Sequence, residues 1–280
     1  MQSLSKPVLC FATLAACAIL WCTPASAADI DIAQHKALYI FKMVSAEPGA
    51  GISSVKGKMY FEQDATCEAW TTEHRLNTEY QYSATSPIAD TSSYVAFETK
   101  DGQQFSFNGN QQEGDEAPEQ LRGSVEKAAD GTAKAVYSRP VDTKYDLPAG
   151  YFLPTAHTME VIRRARAGDH FFSAVMFDGT DADGPVEIGT FIGKRATAEE
   201  LKNIAESSGK IDASLMTPTA WHVRMAIFPL KDTEESAPAY EMEMILHDNG
   251  VISHALVDYK TFAIEQNMTA LEKLPVKKCN

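Results

Sequence analysis

The sequence predicts a mainly β protein with a few helices, in which a long antiparallel meander is rolled up around a helix. Three observations support this fold class. Segments rich in Thr, Tyr and other residues that favour a pleated surface occupy most of the chain beyond residue 27. Asp-Gly and Asn-Gly dipeptides separate consecutive strand-like segments, which is typical of hairpins. Two further segments carry apolar residues at helical spacing and end at a glycine.

Residues 1–27 form a predicted secretory signal peptide. Lys6 supplies a positive charge, an almost unbroken apolar run follows from Val8 to Trp21, and Ala25-Ser26-Ala27 is a small-x-small cleavage site. The apolar run is short for a membrane-spanning helix, which needs about 20 residues. We therefore expect cleavage after Ala27 and no integral membrane span in the chain that remains.

Residues 28–280 are expected to form a single β-rich exported domain. The hydrophobic content of 44% is ordinary for a globular protein. The polar stretch from Asn108 to Glu119 is short enough to be part of a hairpin rather than a linker between domains. A net charge of −13 argues against nucleic acid or an anionic membrane surface as the partner.

Strand signals recur along this domain. The first segments are Tyr39–Val44, Lys56–Glu62 and the long Glu68–Tyr82. Two-residue turn signals then separate further segments: Asp101-Gly102 between Tyr94–Thr99 and Gln103–Phe107, Asp130-Gly131 between Leu121–Lys127 and Ala133–Tyr137, and Asn249-Gly250 between Tyr240–His247 and Val251–Tyr259. Each dipeptide permits positive φ at both corners of a type I′ turn, so we expect antiparallel hairpins.

The last of these hairpins has a predicted register. A two-residue loop places three pairs opposite each other: Leu246 with Ser253, Met244 with Ala255, and Met242 with Val257. The other face of the same hairpin also carries apolar residues, among them Ile245, Ile252 and Leu256. A sheet with one solvated face alternates more cleanly, so both faces are expected to be partly covered.

Three segments are predicted to be helical. Thr155–Arg166 follows Pro154 and stops at Gly168. Thr197–Ser207 opens with a capping box of Thr197 and Glu200 and ends at Gly209. The third is Phe262–Leu274, which leads to the C-terminal cysteine.

Cys67 and Cys279 are the cysteines that remain after the predicted cleavage, because Cys10, Cys17 and Cys22 lie in the signal peptide. Two cysteines in an exported chain are most simply one disulfide, with two free buried thiols as the alternative. A redox pair lacks Cys-x-x-Cys, and a zinc site lacks a histidine at ligand spacing. A lipidated N-terminus at Cys17 would require cleavage inside the apolar run, so we do not favour it.

Sequence signatures of catalysis are absent from the chain. There is no Gly-x-Ser-x-Gly, no phosphate-binding glycine loop and no His-Glu-x-x-His. Asp181-Ala182-Asp183-Gly184 resembles the middle of a calcium loop but lacks the ligands at both ends of that motif. The seven histidines form no metal-spaced pair on a predicted helix. We therefore expect no catalytic residue, no metal and no cofactor.

A segment from Asp142 to His157 places aromatic residues between prolines and leads into the first helix. Its simplest interpretation is a rigid connection that seats the helix against the sheet. A functional interpretation is that its aromatic residues line the mouth of an apolar pocket between helix and sheet. The candidate binding residues are Trp70, Tyr151, Phe152 and Met159.

These features together resemble the EipB-type cell-envelope integrity family of periplasmic proteins. The features that carry the resemblance are the signal peptide, Thr66-Cys67-Glu68-Ala69-Trp70, the segment from Asp146-Leu147-Pro148 to His157, Phe177-Asp178-Gly179, and a cysteine at the C-terminus. Each motif alone is short, and their order and spacing over nearly the whole exported chain carry the resemblance.

The resemblance implies a periplasmic protein whose long antiparallel sheet winds into a spiral or open barrel around helix, with a shape similar to lipoprotein carriers. It also implies a disulfide between Cys67 and Cys279 and no catalytic residue. The leading hypothesis is a non-enzymatic factor that maintains the envelope by binding lipid or lipoprotein acyl chains. The alternatives are a scaffold that docks another envelope protein, and an envelope hydrolase that depends on His157 or His170.

Overall fold

One β-sheet dominates the structure, a computed structural model that describes residues 30–230, 237–277 and 279. The predicted signal peptide lies outside the described residues. The two helices are α1 (Pro154–Ala167) and α2 (Ala198–Ser207). The strands are β1 (His35–Ala46), β2 (Ile52–Ala65), β3 (Ala69–Tyr82), β4 (Ile88–Thr99), β5 (Gln104–Glu113), β6 (Glu119–Lys127), β7 (Ala133–Arg139), β8 (Lys144–Leu147), β9 (Phe171–Met176), β10 (Val186–Arg195), β11 (Lys210–Ile211), β12 (Ala220–Pro229), β13 (Tyr240–His247), β14 (Ile252–Asp258) and β15 (Phe262–Lys273).

The sheet consists of two antiparallel meanders that meet in its middle. Its strand order is β8-β7-β6-β5-β4-β3-β2-β1-β15-β14-β13-β12-β10-β9, and the short β11 pairs in parallel with β15. The two ends of this order approach each other, because Phe152, which follows β8, forms a bridge with Met176 of β9. In the part of the chain that the structure describes, β8 and β9 themselves do not pair. The predicted antiparallel meander rolled up around a helix is therefore confirmed, and the barrel is not closed.

The predicted helix at Phe262–Leu274 was wrong, because this segment is the strand β15. It pairs with β1 on one side and with β14 on the other, and this long-range pairing satisfies its backbone. A β-bulge at Thr269 places the buried Met268 and Leu271 on the same face although they are three residues apart. A spacing of three imitates a helix, which explains the error.

The predicted hairpins are confirmed, but their turn type was wrong. Gly102, Gly131 and Gly250 have positive φ, whereas among the described residues positive φ away from glycine occurs at Asp142 and Lys260. The Asp or Asn before each glycine therefore has an ordinary negative φ. This arrangement is a turn followed by a left-handed glycine, the pattern of hairpin loops longer than two residues.

The longer loop also changes the register of the last hairpin. The His247 amide donates to the Val251 carbonyl, so three residues lie between the two residues of this closing pair. Two of the three predicted pairs are confirmed: Met244 with Ala255 and Met242 with Val257. Leu246 pairs with Ile252 instead of Ser253, because the extra loop residue shifts the pairing next to the turn.

Both remaining helices match their predicted segments. α1 ends at Gly168, whose φ of 82° allows the left-handed conformation that closes the helix. α2 begins with the predicted capping box, in which Thr197 accepts from the Glu200 amide and Glu200 accepts from the Thr197 amide. Local sequence signals are therefore sufficient to predict the C-terminal end of α1 and the N-terminal end of α2.

The core lies on the inner face of the rolled sheet. Val161 and Ile162 of α1 are fully buried against Ile188 of β10 and Val223 of β12. Burial of each such side chain contributes roughly 1.5–3 kcal/mol to stability. A second cluster, centred on Phe105, Phe107, Tyr137 and Phe177, fills the space inside β4 to β8. The helix and this aromatic cluster therefore fill different parts of the interior.

Candidate ligand site inside the spiral

A cavity of about 190 Å³ lies between the inner face of β1–β5 and the N-terminus of α1. We call it the inner cavity. Its apolar wall contains Ile32, Phe61, Ala96, Phe105 and Ile252. This space corresponds to about six water molecules at ~30 Å³ each, so it could hold only a part of a lipid-sized ligand.

A second space of about 560 Å³ adjoins the inner cavity, with which it shares lining residues. We call it the vestibule. Its walls are more polar than those of the inner cavity, because Ser92, Ser93, Asn110 and Gln111 line it together with apolar side chains such as Leu76 and Leu121. His74, Tyr94 and Thr180 line both spaces and therefore mark the junction between them.

One wall of the vestibule is the segment 178–184, which tyrosines of the sheet hold in place. Tyr94 donates a hydrogen bond to the Asp178 carbonyl, Tyr137 to the Asp181 carbonyl at 2.8 Å, and Tyr145 to the Ala182 carbonyl at 2.6 Å. This is the segment that resembles a calcium loop, and here two of its carbonyls accept from tyrosines. Within residues 30–230, 237–277 and 279, no group of three acidic, histidine or cysteine side chains could hold a metal ion.

A row of four rings crosses the inner face from β1 to β4. The ring centroids of His35 and Phe61 are 5.3 Å apart, those of Phe61 and His74 5.2 Å, and those of His74 and Tyr94 5.8 Å. Burial lowers the pKa of His74 to about 4. Burial also lowers the pKa of His35, although a hydrogen bond to the Ala33 carbonyl opposes this shift. Both imidazoles are therefore neutral at pH 7.

Two buried side chains of the inner cavity have a polar atom without a partner in the protein. His35 is 1% exposed and Gln63 is 6% exposed. The His35 Nε2 atom and the Gln63 Nε2 atom make no hydrogen bond. An unsatisfied buried polar atom costs about 1–3 kcal/mol. Four other buried side-chain atoms of the described residues, in Gln34, His157, Thr190 and His222, also lack a partner, so this feature is not confined to the inner cavity.

Glu98 caps helix α1 from a distant strand. The first turn has Pro154 at its start and no side-chain cap of its own. The carboxylate of Glu98 on β4 accepts hydrogen bonds from the amides of Thr155 at 2.8 Å and Ala156 at 3.0 Å. Burial raises the pKa of Glu98, and these hydrogen bonds oppose the shift. Glu98 thus fixes the helix end that forms part of the cavity wall.

We expect Glu98→Ala to lower the free energy of unfolding by about 2–4 kcal/mol, because it removes two hydrogen bonds to a charged group from a buried helix end. Urea unfolding at pH 7 measures the change. Glu126→Ala, at an exposed position on β6, is the control and should change stability by less than about 0.5 kcal/mol. Equal losses in the two variants would show that Glu98 does not support the helix.

Comparison with known proteins assigns the chain to a family. The family model described as EipB-like matches residues 26–275. The chain belongs to the EipB-like family. It is 27% identical over 249 residues to the "Cell envelope integrity protein EipB" of Brucella abortus (strain 2308), an alignment that covers 88% of this chain and 86% of that protein.

A solved structure supports the fold of this EipB-like chain. The crystal structure of a "Beta-barrel-like Protein of Domain of Unknown Function DUF1849" from Brucella abortus superposes with a TM-score of 0.79. The two chains are 26% identical, and the match covers 88% of this chain and all of the other. The resemblance to the EipB-type family that the motifs indicated is therefore confirmed.

The four binding residues predicted from the sequence do not line the inner cavity of this EipB-like chain. Trp70 and Met159 pack in the core around α1, and Lys100 Nζ lies 4.6 Å from the Trp70 ring centroid. Tyr151 packs against the aromatic cluster, and Phe152 forms the bridge to Met176. Tyr151 and Phe152 thus belong to the segment that joins the two ends of the sheet. The helix residues that line the cavity are Pro154, Thr155 and Thr158.

The structure brings the two predicted partner cysteines of this EipB-like chain together. The Cα atoms of Cys67 and Cys279 are 5.5 Å apart, inside the range of about 4.4–6.8 Å that a disulfide requires. Cys67 lies in the connection between β2 and β3, and Lys277 near the C-terminus approaches Asp64 at 3.4 Å. The disulfide itself stays a prediction, which chemical mapping can test.

His157 and His170, on which a hydrolase would depend, have structural contacts. The His157 ring lies 6.0 Å from the Phe152 ring and 5.7 Å from the Phe172 ring, and burial lowers its pKa to about 4. The His170 Nδ1 atom lies 3.1 Å from the Ile192 carbonyl oxygen. In these contacts neither imidazole meets the carboxylate and nucleophile that a hydrolase requires.

Among the described residues, no helix is both long and apolar enough to cross a membrane.

Sequence reasoning missed the residues that make the inner cavity distinctive. His35 and Gln63 become neighbours only through the pairing of β1 with β2, and Glu98 meets α1 across 57 positions of sequence. The sequence around a buried polar residue on a strand does not indicate which distant residue it will contact. The alternation that places His35 and Gln63 on an apolar face is the one pattern that could have suggested them.

Proposed function

We propose that this protein is a non-enzymatic periplasmic factor that maintains cell-envelope integrity by binding an acyl chain of an envelope lipid or lipoprotein. Membership of the EipB-like family and the name of the Brucella abortus relative support the envelope role. The predicted signal peptide supports the periplasm. The lack of catalytic motifs in the sequence favours a binding role over a hydrolase.

The observation that carries the acyl-chain proposal is the polarity gradient from the inner cavity to the vestibule. Aliphatic and aromatic side chains such as Ile32, Phe105 and Ile252 surround the inner end. Hydroxyl and amide groups such as Ser93 and Asn110 line the outer end. An amphiphilic ligand matches this gradient when its chain lies inside and its polar head lies in the vestibule. The two volumes together suit a single chain better than a complete multi-chain lipid.

Protein purified from the periplasm should carry an acyl lipid, which native mass spectrometry and solvent extraction will detect. Ala96→Phe places a ring in the inner cavity and should weaken binding of myristate at least tenfold. Val95→Phe is the matched control, because the neighbouring Val95 lies on the outer face of the same strand and is 40% exposed. Circular dichroism of both variants checks that they fold.

Wild-type protein that carries no lipid and does not bind added myristate would contradict the acyl-chain proposal. The scaffold alternative rests on the aromatic surface of β9 and β10, where Phe171 is 64% exposed and Phe191 is 53% exposed. Crosslinking at Phe191 in intact cells that captured one dominant envelope protein, together with an absence of bound lipid, would favour the scaffold instead.

A further inference from the structure

The junction between the inner cavity and the vestibule offers a ligand one hydrogen-bond donor. His74, Tyr94 and Thr180 line both spaces. Tyr94 donates its hydroxyl hydrogen to the Asp178 carbonyl, and Thr180 donates its hydroxyl hydrogen to the Asp178 carboxylate at 2.9 Å. His74 contacts the rings of Phe61 and Tyr94, and it makes no hydrogen bond within the described part of the chain. Of these three residues, His74 therefore keeps a donor for a ligand.

The ring nitrogens of His74 are accessible from the space that they face. The His74 side chain is only partly buried, and its nitrogen atoms are not sealed in the protein as the Nε2 atoms of His35 and Gln63 are. Burial lowers the pKa of His74 to about 4, so the imidazole is neutral at pH 7. A neutral imidazole carries one N–H and one lone pair. His74 can therefore donate to a ligand oxygen but supplies no positive charge.

The N-terminus of α1 is a second place that could attract an anion, but it is occupied. Pro154 and Thr155 bring this end of the helix to the inner cavity. The free amides and the dipole of a helix N-terminus favour negatively charged ligands. Here the carboxylate of Glu98 accepts from the amides of Thr155 and Ala156, so the protein itself supplies the anion.

The charged side chains around both spaces are acidic. Glu98 and Asp178 line the inner cavity. Glu119 and Asp181 line the vestibule. Among the described residues, no lysine or arginine lines either space. A negatively charged head group would face like charges without a compensating cation, which costs binding free energy. The two spaces therefore suit a ligand without net negative charge.

An amphiphile whose chain lies in the inner cavity presents its first polar group at the junction. In an acyl ester or amide this group includes a carbonyl oxygen, which accepts hydrogen bonds and carries no charge. We propose that the protein recognises an acyl chain through an uncharged ester or amide linkage, whose carbonyl oxygen accepts a hydrogen bond from His74. This inference rests on the proposed acyl-chain function and deepens it, because it ranks free fatty acids and anionic lipids as weaker ligands.

The first test isolates the carbonyl group. Titration calorimetry at pH 7 compares monodecanoylglycerol with 1-O-decylglycerol, the ether that has the same head group but no carbonyl. The ester should bind to the wild-type protein about tenfold more tightly, as expected for one hydrogen bond. N-decanoylethanolamine shows whether the amide or the ester binds more tightly. His74→Phe should remove the difference between ester and ether, whereas Val95→Phe, on the outer face of β4, should keep it.

The second test isolates the charge. 1-Decanoylglycerol 3-phosphate shares the chain and the ester with monodecanoylglycerol and adds a negatively charged group. It should bind to the wild-type protein at least about fivefold more weakly. Asp181→Asn removes one negative charge from the vestibule and should reduce this difference. Glu126→Gln, which removes the same charge at an exposed position on β6, should leave the difference unchanged.

The outcomes separate this inference from the proposed function. Equal binding of the ester and the ether, or of the ester and its phosphate, would overturn the inference and leave the acyl-chain function intact. No binding of any of these ligands or of myristate would overturn both. If His74→Phe fails to fold, nitrogen NMR of the wild-type protein still decides. The ring resonances of His74 should shift more with the ester than with the ether, and equal shifts would overturn the inference.

Discussion

Lowering the pH from about 7 to about 4 is expected to remove most of the stability of the folded state. Four histidines are held neutral inside the protein: His35, His74, His157 and His247. Burial lowers the pKa of each imidazole, and it lowers the pKa of His74 and of His157 to about 4. In the unfolded chain the same groups titrate at about 6.5.

The direction of the effect follows from proton binding. Between the folded-state pKa of about 4 and the unfolded-state pKa of about 6.5, the unfolded chain binds more protons than the folded protein. Stability therefore rises with pH in this window and is lost as the pH falls through it. A shift of this size corresponds to roughly 3 kcal/mol for each of His74 and His157. The total stability of a domain is about 5–15 kcal/mol.

Buried carboxyl groups act in the opposite direction. Burial raises the pKa of Glu98 and Asp178, so the folded protein retains protons that the unfolded chain has released. Their effect on stability is favourable below the unfolded-state pKa and is lost as the pH rises through the raised folded-state pKa. They offset a part of the histidine effect near pH 4, and single histidine variants isolate that effect from theirs.

His74→Phe and His157→Phe should each flatten the pH dependence of stability between pH 6.5 and 4 by up to about 1.4 kcal/mol per pH unit, since each removes one titrating group. Urea unfolding at a series of pH values measures this slope. Val95→Phe, at an exposed position without a titrating group, is the control and should leave the slope unchanged. Parallel stability curves for wild type and both buried-site variants would contradict the assignment.

Local sequence signals predicted the elements that local interactions stabilise. The segments Tyr39–Val44, Lys56–Glu62 and Glu68–Tyr82 lie within β1, β2 and the β2–β3 region, and the capping box begins α2. Alternation, turn glycines and caps depend on residues a few positions apart, so one sequence is sufficient to find them.

Errors arose where distant segments decide the structure. β15 carries helix-like spacing because a bulge at Thr269 interrupts its alternation, and that bulge exists only against β1. The N-terminus of α1 lacks a local cap because Glu98 provides one from β4. His35 and Gln63 share one face through the pairing of β1 with β2, and Gln63 meets Thr72 through the pairing of β2 with β3. Local sequence patterns do not determine which residues of distant strands are paired.

The second large effect concerns Cys67 and Cys279, which are separated by 212 residues. Loss of a disulfide between them is expected to lower the free energy of unfolding by about 2–5 kcal/mol, because the bond restricts a very long loop of the unfolded chain. For a chain of this size, that loss corresponds to a fall in melting temperature of roughly 5–15 °C.

The position of the bond adds a native-state reason for this expectation. One row of the sheet runs from Lys273 of β15 through His35 and Gln63 to Thr72 of β3, so the end of β15 lies beside the inner cavity. Beyond Lys273, the Leu274 amide donates to the Gln34 carbonyl at 2.9 Å, and the chain then reaches Cys67 at the far end of β2. The bond therefore fastens β15, β1, β2 and β3 at the edge beside the inner cavity.

Thermal unfolding with and without reductant measures the effect, and a non-reducing peptide map should show Cys67 linked to Cys279. The double variant Cys67→Ser/Cys279→Ser should melt at the temperature of the reduced wild-type protein and should not respond to reductant. In this variant β15 would lose its attachment to the β2–β3 connection. Hydrogen exchange should therefore increase at the amides of β15 beyond Met268. The increase should be smaller at the amides of β12, which packs in the core around α1. Two free thiols in protein from the periplasm, or equal exchange in both strands, would contradict this role of the cysteine pair.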